Sequence, residues 1–412
     1  MSRVLIVGAG IGGDALAVML DRQGWDVTVV EIAPALRSGG QTVDLRGDSR
    51  EVLDRLGLLE TCRAQLVEQR GLAWIDEHGG HLAEMPVEAF GGAGFVSSEE
   101  LLRTDLARTL HAACGERTEH RFGDTVTDIA PLEDGVRVRF LHHAPETYDL
   151  VVGADGAHSR VRSFLFGPEE RFRRPLGLAH AWFTLAEDAR TPALDGWFLM
   201  HNAEGARVVE ARPGHEGEQE VGFTFPAVTL PPRGDREARL ALLDEVFADV
   251  GWRTPELLAA ARDAGDLALD TYDQIVMDDW HHGRVVLLGD SAWCASPLSG
   301  LGTALALRGA AVLAGELGDA LPGDPDRALS SYAAAMRPRA RAAQRMYPGR
   351  VRTFAPRTRL GIRSMYAVMR MLQRRPLSDV LGRLASGYGS AERASSSASA
   401  GRDPAPASPT AV

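Results

Sequence analysis

Residues 4–31 read VLIVGAGIGGDALAVMLDRQGWDVTVVE, and the fold turns on this stretch. Val4–Val7 is an apolar run of β-forming residues. "GAGIGG" follows, then a helix-forming stretch to Gly24, then a second apolar run, Val27–Val30, ending in Glu31. Strand, glycine turn, helix and strand make a βαβ unit, and Gly8, Gly10 and Gly13 stand at dinucleotide-binding spacing. The first glycine permits a tight turn, the second lets backbone approach a diphosphate, and the third lets helix pack on strand. Ile11 lies in the same turn, and the helix N-terminus faces the anion. Glu31, at a strand end, is placed to accept hydrogen bonds from ribose hydroxyls. The expectation is a dinucleotide bound at the start of the chain.

A simple nicotinamide dehydrogenase would continue with alternating strands and helices, and this chain does not. "SEELLRTDLARTLHAAC" (98–114) reads as a helix with Leu and Ala on one face. "DTVTDIAPLEDGVRVRF" (124–140) reads as a β-meander, and "YDLVVGADGAHSRVRSFL" (148–165) as a strand ending in Asp-Gly before a helix. From about Arg171 to Tyr272 the pattern is antiparallel strands rich in aromatics. "GRVVLLGD" (283–290) then returns to an apolar strand, followed by "SAWCASPLSGLG" and a helix from Gly302 to about Leu317. The expected architecture is α/β: a discontinuous Rossmann-like lobe (1–80, 100–170 and 273–335) interleaved with an antiparallel-sheet lobe (81–99 and 171–272). Helices at 336–390 and a disordered Ser/Ala/Pro-rich tail at 391–412 complete it.

At 412 residues the chain needs more than one core. Its net charge of −11 argues against nucleic acid or an anionic membrane as the main partner. All 45 basic residues are Arg, so no lysine-based mechanism is open. Cys62, Cys114 and Cys294 form no CxxC pair, and His142–His143 and His281–His282 read as loop without metal-ligand spacing. No apolar run approaches the roughly 20 residues of a membrane span. A cytoplasmic protein, monomer or dimer, is the expectation.

Three ordered motifs, "GAGIGG" with Glu31, "VVGADGAHSRVR" and "RVVLLGDSAWCASPLSGLGTALAL", together resemble the single-component FAD-dependent aromatic hydroxylases, the para-hydroxybenzoate-hydroxylase-like group. Within it the chain looks closest to polyketide-tailoring and tetracycline-inactivating members. The resemblance implies that the first motif holds the FAD diphosphate, with Glu31 on the adenosine ribose and Arg103 near the phosphates. It places Val126 near the adenine through its backbone and Asp44 beside the flavin. It assigns Arg37 to NADPH and Asp155 to a motif that touches both nucleotides, through backbone or hydroxyl donors. Asp290 would accept from the ribityl chain, and Leu301 and Gly302 would turn N–H groups toward the pyrimidine edge. Trp293 stands where the family often has histidine, so it reads as packing; Cys294 beside it reads as a buried packing residue, leaving FAD non-covalent.

The implied reaction uses NADPH or NADH and O2 to hydroxylate an aromatic or polyketide-like small molecule through a C4a-hydroperoxyflavin. His180, His201 and Tyr272 are candidate proton acceptors by location. Trp182, Phe183, Phe198, Phe223 and Phe225, with Trp197, are candidate pocket aromatics; strand alternation allows only some of them to face inward. A flavin dehydrogenase or reductase of the same fold, and a non-catalytic flavin-binding interaction protein, remain alternatives. Substrate-dependent O2 uptake separates the first, NADPH oxidation the second.

Overall fold

The βαβ unit forms where its pattern puts it in the computed structural model, which describes residues 2–37, 39, 41–89, 96–188, 191–227, 229–319, 325–346 and 349–372. Strands Arg3–Val7 and Asp26–Glu31 pair in parallel across the helix Ile11–Arg22, with Val4 opposite Val27 and Val7 opposite Val30. Both are buried on both faces, which is why they read as unbroken apolar runs. They lie inside a six-stranded sheet ordered His281–His282, Val285–Leu287, Leu150–Gly153, Arg3–Val7, Asp26–Glu31, Thr118–Phe122. Every neighbouring pair is parallel except the first. His281–His282, expected as loop, is therefore a short strand.

The three strands that carry the three motifs are adjacent in this sheet. Their carboxyl ends, at Gly8, Ala154 and Leu288, are therefore brought to one edge. This is where open α/β sheets hold ligands.

Expected helix at 98–114 is shorter, Arg103–Ala112. Glu100–Leu102 instead pairs antiparallel with Thr42–Asp44. The physical reason is a set of competing partners: Thr42 Oγ1 and the Ser97 N–H both donate to the Glu100 carboxylate, at 3.0 and 3.1 Å. A three-stranded meander, Val126–Pro131, Val136–Phe140 and Glu146–Tyr148, matches its pattern.

The second lobe is a seven-stranded sheet ordered Ala268–Ile275, Arg173–Ala186, Glu218–Pro226, Arg207–Pro213, Trp197–Ala203, Gly71–Ile75, His81–Pro86. Gly71–Ile75, counted with the nucleotide lobe in the sequence reading, runs parallel to Trp197–Ala203 here. One face of this sheet buries Ala179, Ala181, Phe183, Phe223 and Phe225 against the helices Arg236–Phe247 and Thr254–Asp263. The other carries His180, Trp182 and Thr184 and meets the nucleotide lobe, where Gln41 contacts His180 and Arg212 pairs with Glu100.

Helix Pro325–Gln344 packs on Gly302–Asp319, and Arg359–Leu372 packs Met365 and Tyr366 against the sheet's outer end. A short helix, Arg350–Phe354, lies between Pro325–Gln344 and Arg359–Leu372; residues 373–390 of the expected C-terminal helical region, and the tail at 391–412, lie outside the described residues. Among the described residues no helix is long and apolar enough to cross a membrane.

Candidate functional site

The glycine turn separates into two kinds of position. At Gly8 (φ +110°) a Cβ would stand 2.5 Å from the Ala154 carbonyl oxygen, and at Gly13 one would stand 2.0 Å from the Gly8 carbonyl oxygen. Those two glycines are demanded by the protein itself. At Gly10 a Cβ would meet no protein atom within 4 Å. That opening lies at the N-cap of Ile11–Arg22, where no side chain caps the first-turn N–H groups. Free donors, a dipole end and room for a ligand fit an FAD diphosphate. Ile11 buries its side chain and contributes backbone only. Glu31 steadies the turn: its carboxylate accepts from the N–H of Ala9 (3.0 Å) and of Ala33 (2.9 Å). Arg37, mostly exposed, has Nη2 3.9 Å from Glu31, at the second strand's end.

Arg103 and Asp290 are deep in the fold yet solvent-accessible, so they line a cleft. Burial lowers the Arg103 pKa and raises that of Asp290, and each opposes the other's shift through its charge. Arg103 begins the helix Arg103–Ala112; Asp290 follows Gly289, whose φ of +68° lets the strand turn sharply into it. Asp155 is satisfied by hydroxyl and backbone donors: Ser159 Oγ at 2.5 Å, the N–H of Arg160 and Val161 at 2.7 and 3.1 Å, and Ser291 Oγ at 3.2 Å. Burial raises its pKa and these donors oppose the rise.

Past Asp290, Trp293 is buried against Trp280 (4.6 Å between centroids) and Tyr332 (5.9 Å). Cys294 is buried too, and desolvation holds its thiol neutral. Leu301 is exposed, with its N–H 3.2 Å from Ser299 Oγ, and Gly302 opens the helix Gly302–Asp319. Val126 is wholly buried, backbone as well as side chain, and pairs with Phe140, so the expected backbone contact with the adenine has no exposed surface here. Asp44, paired with Arg46 at 2.5 Å, is pushed up to about 6 by burial and by Glu100 across the strand pair.

The inward sheet face is more polar than its aromatic sequence suggests. His180 stacks between Trp182 and Tyr272, with centroids at 5.6 and 5.3 Å. Its Nε2 lies 2.6 Å from the Gln41 amide nitrogen and its Nδ1 2.7 Å from Thr224 Oγ1. Burial pushes its pKa down to about 3, so the ring is neutral. Glu210, 3.7 Å from His180 Nε2, and Glu220 are both pushed up to about 7, chiefly by burial. Burial also raises the Tyr272 pKa. Arg212 stacks over Phe198 at 4.7 Å.

Three expected pocket residues face away. Phe183, Phe223 and Phe225 alternate onto the helix-covered face, where Phe223 and Phe225 meet Phe247 at 5.0 and 5.9 Å. His201 is on that face as well, 3.3 Å from the Ile75 carbonyl and beside Trp252, so it is no candidate base. Trp197 lines a different cleft of about 500 Å³ with Arg70, His81 and Trp252, to which the nucleotide sheet contributes nothing. Sequence reading missed Gln41, Arg162, Glu210, Arg212, Glu220, Thr224 and Ser291. Only Ser291, inside the Gly-Asp motif, and Arg162, inside the Asp155 motif, had a local signal. Arg162, wholly buried, donates to the carbonyls of Ser291 and Ala157 at 3.0 and 2.6 Å and so locks two motifs together.

A family model described as an FAD binding domain matches residues 1–346. The chain belongs to the FAD-dependent aromatic hydroxylases. The FAD-dependent monooxygenase asL4 of Sarocladium schorii is 35% identical over 324 residues, covering 76% of this chain and 75% of that protein. The flavin-dependent monooxygenase of Legionella longbeachae is 32% identical over 339 residues, covering 81% and 85%. Among solved structures, the tetracycline destructase Tet(51) superposes with a TM-score of 0.76 at 28% identity, covering 90% of this chain and 97% of that one. This hydroxylase is thus an FAD-dependent monooxygenase.

Proposed function

We propose that this monooxygenase spends NAD(P)H and O2 to hydroxylate a polyoxygenated aromatic or polyketide-like small molecule. The balance is NAD(P)H + H⁺ + O2 + substrate–H giving NAD(P)⁺ + substrate–OH + H2O. Bound FAD supplies two-electron acceptance and O2 activation. The chain supplies position: the turn at Gly8–Gly13 and Arg103 for the diphosphate, Glu31 for the adenosine end, Asp44 and Asp290 for the flavin end. Asp155 orders the turn that faces them, Gly302 offers a first-turn N–H group just after Leu301, whose own N–H is held by Ser299 Oγ, and Arg37 is assigned to NAD(P)H.

The observation that carries the substrate reading is the sheet face opposite this cleft. It offers flat surfaces, Trp182, Tyr272 and Phe198, interleaved with Glu210, Glu220, Arg212 and Thr224. A multi-ring apolar molecule alone would leave Glu220 Oε2 and Arg212 Nε, which have no hydrogen-bond partner among the described residues, unmatched; a molecule bearing several hydroxyl or carbonyl groups matches them. Glu210, with its pKa near the working pH, is suited to accept a phenolic or enolic proton from such a substrate. His180, already neutral and held at both nitrogens, orients rather than accepts.

The deciding experiment screens hydroxylated aromatics and polyketides for compounds that accelerate NADPH oxidation, with ¹⁸O2 label followed into product. Expected is one ¹⁸O atom per product molecule. Product formed without label would make this a dehydrogenase instead, and no NADPH oxidation with any compound would leave a flavin-binding protein.

A further inference from the structure

Asp14, in the first turn of the helix Ile11–Arg22, has no exposed surface. An isolated carboxylate in that position needs a positive partner. Two histidines converge on it from other elements: His111 from the last turn of Arg103–Ala112, and His120 from the edge strand Thr118–Phe122. His120 Nε2 lies 3.1 Å from Asp14 Oδ1 and 3.2 Å from His111 Nδ1, and His111 Nδ1 lies 3.8 Å from Asp14 Oδ2.

Hydrogen bonding alone serves this cluster poorly. A ring nitrogen has one in-plane position, holding either a proton or a lone pair. His120 Nε2 nevertheless faces two partners at hydrogen-bond distance. Whichever it serves, the other is left with a shared, bent contact, and the buried Asp14 Oδ2 has no hydrogen bond at all. His158 shows the contrast. Its Nδ1 meets Glu169 at 3.0 Å and its Nε2 meets Asp270 at 3.0 Å, one carboxylate per nitrogen, so a protonated ring satisfies both. In the Asp14 cluster one ligand atom from each of the three residues lies within 4.8 Å of the others, which suits a cation between them.

We propose that Asp14, His111 and His120 bind one divalent transition-metal ion, of which Zn²⁺ is the probe. Two imidazole nitrogens and a carboxylate oxygen are the donor set of zinc and other borderline ions. Tetrahedral ligands on bonds of about 2.0–2.1 Å stand roughly 3.3 Å apart; His120 Nε2 lies close to that distance from both Asp14 Oδ1 (3.1 Å) and His111 Nδ1 (3.2 Å), and His111 Nδ1 stands 3.8 Å from the second carboxylate oxygen. The His111 side chain is partly exposed, which gives the ion an entry path and a fourth position for water.

The ion is a clip, not a reactant. It joins the helix that begins at the glycine turn to the helix that begins at Arg103, and both N-termini face the cofactor cleft. Metal occupancy therefore couples to FAD retention.

The test uses the holoprotein. Chelator-treated wild type is titrated with Zn²⁺ by calorimetry, bound metal is counted by mass spectrometry, and melting is followed with and without Zn²⁺. Expected are one saturable site per chain, a higher melting temperature with Zn²⁺, and slower FAD loss. His111→Gln and His120→Gln should each weaken binding about tenfold or more, while His158→Gln leaves it unchanged. Absence of a saturable site in folded wild type overturns the proposal, as does binding that survives both histidine substitutions. The wild-type titration decides even if a variant fails to fold.

Discussion

The side-chain amide of Gln41 stands 2.6 Å from Nε2 of His180, joining the loop that leaves the nucleotide-binding unit to the sheet of the other lobe. With Thr224 on Nδ1, this contact leaves His180 no free nitrogen, and burial already keeps it neutral down to about pH 3. A limb near neutrality in the pH–rate profile then falls to Glu210 or Glu220, both at about 7, and Glu210, 3.7 Å from His180 Nε2, is the proposed base. Its carboxyl is protonated below that pH and cannot take a proton, so turnover rises with pH through about 7. Glu210→Gln should remove the limb and slow turnover roughly a hundredfold or more. His180→Gln should keep it. A limb retained in Glu210→Gln assigns the base elsewhere.

Asp290→Ala should weaken FAD binding without unfolding the chain. Losing a hydrogen bond to a charged acceptor costs about 1.5–3 kcal/mol, roughly ten- to a hundredfold in affinity. Fluorescence titration of apoprotein with FAD measures it, and an unchanged dissociation constant would remove Asp290 from the cofactor.

Arg37 and Arg103 should fail in opposite ways. Arg37 is largely exposed at the rim, whereas Arg103 is set deep in the cleft beside Asp290. Arg37→Ala is expected to raise the NADPH KM or slow flavin reduction about ten- to a hundredfold with FAD content near wild type. Arg103→Ala should empty the FAD site first. Anaerobic stopped-flow reduction, with FAD occupancy read from absorbance, separates them; loss of FAD in Arg37→Ala with normal reduction of the remainder reverses the assignment.

The nucleotide lobe was legible because its signals are local. Gly13, Glu31 and the apolar strands around them answer to neighbours within one βαβ unit; Gly8 is closed against Ala154 at the end of the adjacent strand, yet its place in the glycine spacing is local. The sheet face was not, because its meaning depends on which side each strand turns to the helices. Phe183 and Trp182 are adjacent in sequence and lie on opposite faces, and period two alone does not say which face is which. Glu100 was read as helical since nothing near it announces its partners, Thr42 and Arg212. The Asp14 cluster escaped for the same reason: its members come from a helix start, a helix end and an edge strand, so no ligand spacing exists to be read.

His158 ties Glu169 in the nucleotide lobe to Asp270 in the sheet lobe. Hydrogen bonds to Asp270 and Glu169 raise its pKa from 6.5 to about 9, against a desolvation effect of opposite sign. A folded pKa above the unfolded one stabilises fully below pH 6.5, and the contribution is lost as pH rises through about 9. Arg162 and Arg233 share the same carboxylates and soften the loss. Melting temperature should therefore fall from pH 6.5 to 9 more steeply in wild type than in His158→Gln; parallel slopes would show that the bridge carries no folding free energy.

Gly10 and Gly13 offer the sharpest separation of fold from cofactor. Alanine at Gly13 puts its Cβ 2.0 Å from the Gly8 carbonyl oxygen, a backbone atom that cannot move without parting helix from strand. Alanine at Gly10, where φ is −87°, meets no strain and no protein atom within 4 Å. Only a ligand backing onto the turn would feel that methyl group. Gly13→Ala should therefore lower the melting temperature of the apoprotein and lose FAD as a consequence. Gly10→Ala should melt like wild type without FAD, gaining slightly from the stiffer unfolded chain, while its FAD affinity drops because the diphosphate can no longer approach the first-turn N–H groups. Calorimetric melting of both apoproteins, followed by FAD titration, reads the two effects independently. If Gly10→Ala binds FAD as tightly as wild type, the diphosphate does not lie against this turn.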